Sequence, residues 1–319
     1  MKRFTAQSVF EFVRFVCEIN SGLVRNGANK NEILLFRGHS KNTYELVPSI
    51  ARGRRSSVDI TIFNEEENLI SLAQYKLPDV FKRDLSPIEL LALLQHFGVP
   101  TRLLDVTENA LAALYFACCS NNAEDGEVFA MVHNEQDIRN YPVYEGIAES
   151  YKFAQGTDTP LEFFFYDIIE QPYFVSQRRM LRSVFRKNTN SEDLEKAGMP
   201  SSGEQWVIDC CKDRIFLHAP IRSMRQQAQR GRYILFPNDI VPYNLDNENR
   251  MAFTQIISPI KKDDDCIAGI ISVPSQFKLN ILKELKLFGI SKDVLFCDSP
   301  DIVCEGILEE LKYKVRGDF

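Results

Sequence analysis

QHFGVPTRLLDVTENALAALYFA, residues 95–117, passes from a polar pair through a turn into a short extended segment and then into a small-residue helix. Gln95 and His96 open it, and Gly98 and Pro100 turn the chain. A residue before proline is driven to extended geometry, so Val99-Pro100 starts a new element and LLDVT reads as a strand. Asn109 or Thr107 can cap the helix that follows, Ala110 to Ala117. Thr101, Arg102, Asp105, Thr107 and Asn109 therefore gather at a strand-to-helix junction, where unpaired backbone N–H groups favour anions. Buried Arg and Asp need partners. Two readings of Arg102 and Asp105 stay open: a structural pair that locks the turn, or charges presented to a ligand.

The surrounding chain of 319 residues has the length of one large domain or two, enough to bury a sizeable core. Hydrophobic residues make up 45% and charged residues 26%, ordinary values for a globular protein. A net charge of −6 argues against a general nucleic-acid coat but leaves room for a local basic groove. The 8 cysteines (17, 118, 119, 210, 211, 266, 297 and 304) show no CxxC spacing and mostly stand in apolar runs, as reduced core residues of a cytoplasmic protein do. The 4 histidines (39, 96, 133 and 218) are far apart, so no metal site is expected. The N-terminal segment lacks the apolar run of a signal peptide, and no segment reaches membrane-spanning length.

Working outward, residues 5–22 carry a broad apolar face behind Ser8 and predict an amphipathic helix, which as residues 1–29 would pack on a compact unit spanning 30–319. ILLFRG predicts a buried strand ending in Arg37-Gly38. Arg37 has two readings, a structural ion pair or a group that reaches a phosphate or carboxylate in a cleft. Gly38 admits a ligand or another backbone at close range. Residues 59–77 and 86–97 predict helices, the second capped by Ser86 with Pro87 in its first turn. It delivers Gln95 and His96, the latter either a satisfied buried histidine or an acid/base group. Beyond the central helix, strands are expected at 126–133, 214–220, 232–237 and 266–274, with extended chain at 294–298. Helices are expected in parts of 161–187 and at 222–231, closed by Gly231, 277–289 and 299–315. Residues 134–160 and 188–205 have loop composition. The basic cluster of Arg178, Arg179, Arg182, Arg186 and Lys187 reads as a solvated helix face rather than a nucleic-acid contact. Strands interspersed among helices without βαβ alternation predict an α+β fold, a mixed and mostly antiparallel sheet flanked by helices.

FRGHS (36–40), LVPSI (46–50), the 95–117 stretch and QRGRYILFP (229–237) together resemble the FRG domain family, named for its Phe-Arg-Gly motif. The closing pattern, ending in FGI and then VLFCDSPDI, is similar to the end of such proteins. Members are associated with bacterial toxin and antiviral defence contexts. The order of motifs also resembles the ADP-ribosyltransferase fold. There a first strand ends in Arg-Gly, a second carries Ser or Thr into an Ala-rich helix, and a third region carries a glutamate. That resemblance implies NAD as a substrate rather than a tightly bound cofactor, and a transferase or NAD glycohydrolase activity. The acceptor would be a protein or nucleic acid, with no membrane partner; the oligomeric state is open. Arg37, Asp105, Thr107 and Gln229 would be catalytic, and Gly38, His96, Thr101, Arg102 and Asn109 would bind the nucleotide. Gln229 stands near the position of the family glutamate, so Asp105 or Glu108 would have to supply the negative charge. The alternatives are a non-catalytic nucleotide or nucleic-acid sensor in the same cleft, and a structural interaction module whose polar residues fix the core.

Overall fold

The computed structural model describes residues 1–25, 32–52, 62–134, 140–154, 158–177, 202–212, 214–217, 223–245, 248–299 and 302. The basic cluster at 178–187, most of the 188–205 segment and the helix expected at 299–315 lie outside them, apart from a few residues. In chain order the elements are β1 (Lys2–Thr5), α1 (Val9–Arg25), β2 (Glu32–His39), α2 (Glu66–Lys76), α3 (Pro87–His96), β3 (Leu103–Thr107), α4 (Ala110–Cys118) and β4 (Gly126–Asn134). There follow α5 (Tyr141–Ala148), β5 (Thr159–Pro160), α6 (Leu161–Ile169), α7 (Pro172–Val175), α8 (Ser202–Lys212), β6 (Ile215–Leu217), α9 (Met224–Ala228) and β7 (Gly231–Leu235). The chain continues with β8 (Ile240–Leu245), β9 (Glu248–Phe253), β10 (Ile267–Val273), α10 (Ser275–Leu287) and α11 (Lys292–Leu295).

A seven-stranded sheet in the order β1-β10-β4-β2-β3-β7-β6 forms the centre, and β5-β9-β8 form a smaller sheet. All pairs in the large sheet are antiparallel except β1 with β10. The fold is α+β, a mixed and mostly antiparallel sheet flanked by helices. One face packs on α1, α4 and α10 through Phe12, Ile19, Phe36, Leu114, Ile271 and Ile281. The other packs Leu35, Leu104, Phe129 and Met131 against Leu46, Ile50 and Phe63. A further cluster joins α3, α5, α6 and α8 to β6 and β7.

The sheet has one weak seam. β2 pairs with β4 along its whole length, from Glu32↔Asn134 to His39↔Glu127. β3 pairs with β7 from Leu103↔Leu235 to Thr107↔Gly231. Between β2 and β3 the register holds only Phe36↔Thr107. Past that rung Arg37, Gly38 and His39 part from Val106 and Asp105, and the sheet opens.

Glycine and small residues fix how α4 lies on the sheet. A Cβ on Gly38 would stand 1.9 Å from the Ala113 carbonyl oxygen, and one on Gly126 would stand 2.4 Å from the Ala117 oxygen. Both glycines are needed by the approach of the helix backbone, and the alanines keep that approach possible.

Several expectations change. The N-terminal helix starts at Val9, where Ser8 Oγ accepts from the Glu11 N–H at 3.3 Å, and residues 2–5 instead add an edge strand to β10. The loop expected at 134–160 contains α5, whose Val143, Tyr144, Ile147 and Ala148 follow helical spacing around a Gly146 packed on Ile168. Residues 294–298 are not extended: α11 and a turn occupy them, a four-residue apolar run being too short for periodicity to decide. The helix at 222–231 is closed by Arg230 at φ 47°, while Gly231 already begins β7. The β8–β9 hairpin escaped notice because Pro242 breaks the strand pattern.

Candidate active site

The opening between β2 and β3 is the mouth of a cleft of about 920 Å³. Its walls come from β2, the 43–52 segment, the end of α3, β3, the end of α4, α9 and the start of β7. Four guanidiniums line it, Arg37, Arg52, Arg225 and Arg232, against two carboxylates, Glu45 and Asp105. In a chain of net charge −6 this is a local cationic site.

Arg37 bridges the open seam. Its Nη1 donates to the Asp105 carbonyl at 2.5 Å and lies 4.0 Å from Asp105 Oδ2, while its Nε donates to His39 Nε2 at 3.2 Å. It thus takes the place of a ladder bond that the diverging strands cannot make. Burial pulls its pKa down to about 10, and Asp105 opposes the shift. Arg52 turns back onto the Val47 carbonyl at 2.7 Å, and burial lowers its pKa too, again opposed by Asp105. Arg225 lies 4.3 Å over the Phe296 ring. Among the described residues neither Arg52 nor Arg225 has a carboxylate at ion-pair distance. Arg232 does, in Glu108, which it holds by two donors.

Asp105 is an exposed carboxylate of the cleft, its side chain 58% accessible. A relay sets its orientation: the Leu103 N–H donates to Thr101 Oγ1 at 3.2 Å, Thr101 Oγ1 donates to Gln95 Oε1 at 2.8 Å, and Gln95 Nε2 donates to Asp105 Oδ2 at 2.9 Å. Tyr233, opposite Asp105 on β7, is raised in pKa by burial and by Asp105, with Arg225 opposing. His96, at the end of α3, stands 3.7 Å from Asp298.

Of the residues singled out in the sequence, Arg37, Gly38, His96, Asp105, Thr107 and Gln229 line the cleft, and Thr101, Arg102 and Asn109 do not. Thr107 and Gln229 are occupied with the chain itself. Thr107 Oγ1 donates to the Gln229 carbonyl at 2.5 Å and accepts from the Asn109 N–H at 2.8 Å; Gln229 Nε2 donates to the Leu295 carbonyl at 2.9 Å. Asn109 is the helix cap, its Oδ1 accepting from Leu111 and Ala112. Thr101 acts one step behind Asp105. Arg102 is 1% exposed and pairs not with Asp105 but with Glu66, through Nε at 3.0 Å and through Nη2; its Nη1 donates to Asn238 Oδ1 at 3.1 Å. Glu108, the other acid considered for charge, is taken by Arg232.

His39, Tyr44, Arg52 and Arg225 also line the cleft. Only His39 carried a usable signal, its two-residue spacing from Arg37 on one strand face. Arg52 belongs to a basic tract that reads as loop, and Arg225 to a polar helix.

These features define an α+β protein whose central sheet opens at one seam into a cationic cleft. Residues 32–126 match the family model of the FRG domain, so the chain carries an FRG domain there; the match takes in β2, the 95–117 stretch and α4. The similar motif at 229–237 and the closing pattern lie outside the matched range. No curated protein and no solved structure matches the chain. Among the described residues no group of three or more His, Cys, Asp or Glu is arranged to hold a metal ion, and no helix is long and apolar enough to cross a membrane.

Proposed function

We propose that the cleft binds a nucleotide by its phosphates, that the nucleotide is NAD, and that the protein cleaves the nicotinamide–ribose bond as an ADP-ribosyltransferase or NAD glycohydrolase. The observation that carries this reading is the open β2–β3 seam. It sets a carboxylate, Asp105, beside four guanidiniums in a cleft of about 920 Å³, near the upper end of the usual small-molecule range. Guanidiniums recognise phosphate bidentately, and among the described residues Arg52 and Arg225 have no carboxylate at ion-pair distance.

Scission of the C1′–N bond leaves its electron pair on nicotinamide and positive charge on the ribose. A fixed carboxylate stabilises that charge as it forms. Water or an acceptor nucleophile then bonds to C1′ and releases a proton. In this proposal Asp105 takes that role, since Glu108, the other acid considered from the sequence, is paired with Arg232. Thr107 and Gln229 hold the β3–α4 junction to the α9–β7 turn rather than contact ribose. Such consumption of NAD suits a toxin or defence effector.

Incubation with NAD and chromatography of free nicotinamide tests the reading, alone and with cell extract as acceptor. Release that disappears in both Arg37→Ala and Asp105→Ala is the expected result. No release under any condition refutes it. A second reading, nucleotide sensing without turnover, is favoured by the satisfaction of Asp105 by Gln95 and Arg37. In that case Asp105→Ala leaves ADP-ribose binding intact and there is no activity to lose.

A further inference from the structure

His39 stands two residues beyond Arg37 on β2, so both side chains leave the same face of the strand. It is 4% exposed, packed edge-on to Phe129 at 5.2 Å and to Tyr44 at 6.1 Å between ring centroids. Its Nε2 faces the Arg37 Nε–H at 3.2 Å. A guanidinium nitrogen only donates, so Nε2 must present its lone pair and the ring proton must sit on Nδ1. Among the described residues that buried Nδ1 has no partner at full hydrogen-bond distance, and the Tyr44 backbone lies near enough to favour its proton.

The neighbours on every side favour the neutral ring. Arg37 approaches from the same strand, Arg52 from the turn after residues 49–51, and Lys262 from the loop before β10. The acid across the ladder, Glu127, is occupied by Lys262 at 2.5 Å. Burial and these cations together pull the pKa of His39 down to about 3, the Tyr44 backbone opposing.

We infer that His39 is a positioning residue of the nucleotide site: its neutral imidazole accepts from Arg37 Nε and so aims the guanidinium across the seam. With Nε on His39 and Nη1 on the Asp105 carbonyl, Nη2 is the Arg37 nitrogen left without a partner among the described residues, ready for a ligand oxygen. Arg37 can turn about its long side chain, and a fixed acceptor behind it removes that freedom before the ligand arrives. This rests on the reading of the cleft as a phosphate site.

The test uses the full chain and ADP-ribose as the probe, with binding measured by calorimetry. His39→Leu removes the acceptor and should weaken binding about tenfold. His39→Gln returns an acceptor near the Nε2 position and should restore binding to within about threefold. In an Arg37→Ala background His39→Leu should have no further effect, because His39 acts through Arg37. Side-chain ¹⁵N spectra of the ligand-free protein, assigned by loss of signal in His39→Gln, should show an Nδ1–H tautomer unchanged from pH 5 to 8. An Nε2–H tautomer or an imidazolium overturns the inference. So does failure of Gln to rescue a folded protein, or full additivity with Arg37→Ala. If the wild-type protein does not bind ADP-ribose, the phosphate-site reading fails. The spectra, with exchange of the Arg37 Nε–H in wild type and His39→Leu, still decide whether His39 holds Arg37.

Discussion

Gly38→Ala is the sharpest test of how the sheet and α4 fit. The new methyl would stand 1.9 Å from the Ala113 carbonyl oxygen, 2.8 Å from the Ala117 nitrogen and 2.9 Å from the Ala113 carbonyl carbon. Ordinary contact begins at 3.4 Å, so the helix must retreat by about 1.5 Å or β2 must bend away. Neither is free. β2 is held along eight positions by β4, and Ala112, Ala113, Leu114 and Ala117 of α4 are fully buried. Overpacking costs about 1–3 kcal/mol where side chains can yield. Here the obstacle is backbone and the retreat strips dispersion contacts from a whole helix face, so about 3–5 kcal/mol is expected. Total stability is typically about 5–15 kcal/mol, so the variant is severely weakened. Urea denaturation followed by circular dichroism measures the difference. Gly98→Ala is the control: it has φ +80° and nothing within 4 Å, and should cost only about 1 kcal/mol from the left-handed backbone. Adding Ala113→Gly should not rescue Gly38→Ala, because the clash is with the main-chain oxygen and not the methyl. A Gly38→Ala protein within 1 kcal/mol of wild type, or one rescued by Ala113→Gly, refutes this account of the Phe-Arg-Gly glycine.

Arg102→Met leaves Glu66 buried and unpaired and should cost about 3–5 kcal/mol in denaturation, most of it recovered by Glu66→Leu in the same chain; equal stabilities of single and double variants would contradict the pairing. Lys278 is fully buried and donates to the carbonyls of Ser40, Asn121 and Ser120 at 2.7, 3.1 and 3.3 Å, so Lys278→Met should lose about 2–3 kcal/mol by orphaning them; an unchanged midpoint would show that the carbonyls find other donors. Glu145 accepts from the Ile88 N–H at 2.8 Å, and burial pushes its pKa up to about 7, with Glu89 and Glu149 adding to the shift. An unfolded carboxylate titrates near 4.3, so between about pH 4.3 and 7 the folded state holds the extra proton and stability falls as pH rises. Wild type should lose at most about 3 kcal/mol across that window, and Glu145→Gln should lose clearly less; superimposable pH–stability curves would count against it.

Much of the fold was legible. The strand at 103–107, the helix it enters, the cap by Asn109, the strands at 126–134 and 231–235 and the capped helix at 87–96 all follow local rules, and the structure follows them. What escaped depends on distant partners. β1 is four residues long and exists because β10 offers an open edge. The β2–β3 seam is a failure of pairing between two segments that each read as good strands, and no local pattern reports it. Glu66, the true partner of Arg102, belongs to the run Glu65-Glu66-Glu67, which by composition alone reads as a solvated face near a helix N-terminus.

One part of the site could nevertheless have been settled by parity. Arg102 and Asp105 are three residues apart in an extended segment, and an odd separation puts side chains on opposite faces of a strand. They could not both pair with each other and follow the strand. Arg102 falls on the side of Leu104 and Val106, toward Phe63 and the core, where its guanidinium lies 5.1 Å over that ring. Asp105 falls on the other side and stays exposed. The same count explains why Arg37 can reach Asp105 at all. From the Phe36↔Thr107 rung, Arg37 stands with Val106, and Gly38 with Asp105, on opposite faces. In a closed ladder the sheet itself would separate Arg37 from the Asp105 face. The guanidinium reaches the Asp105 carbonyl because the ladder is open there, so the contact and the cleft have one cause.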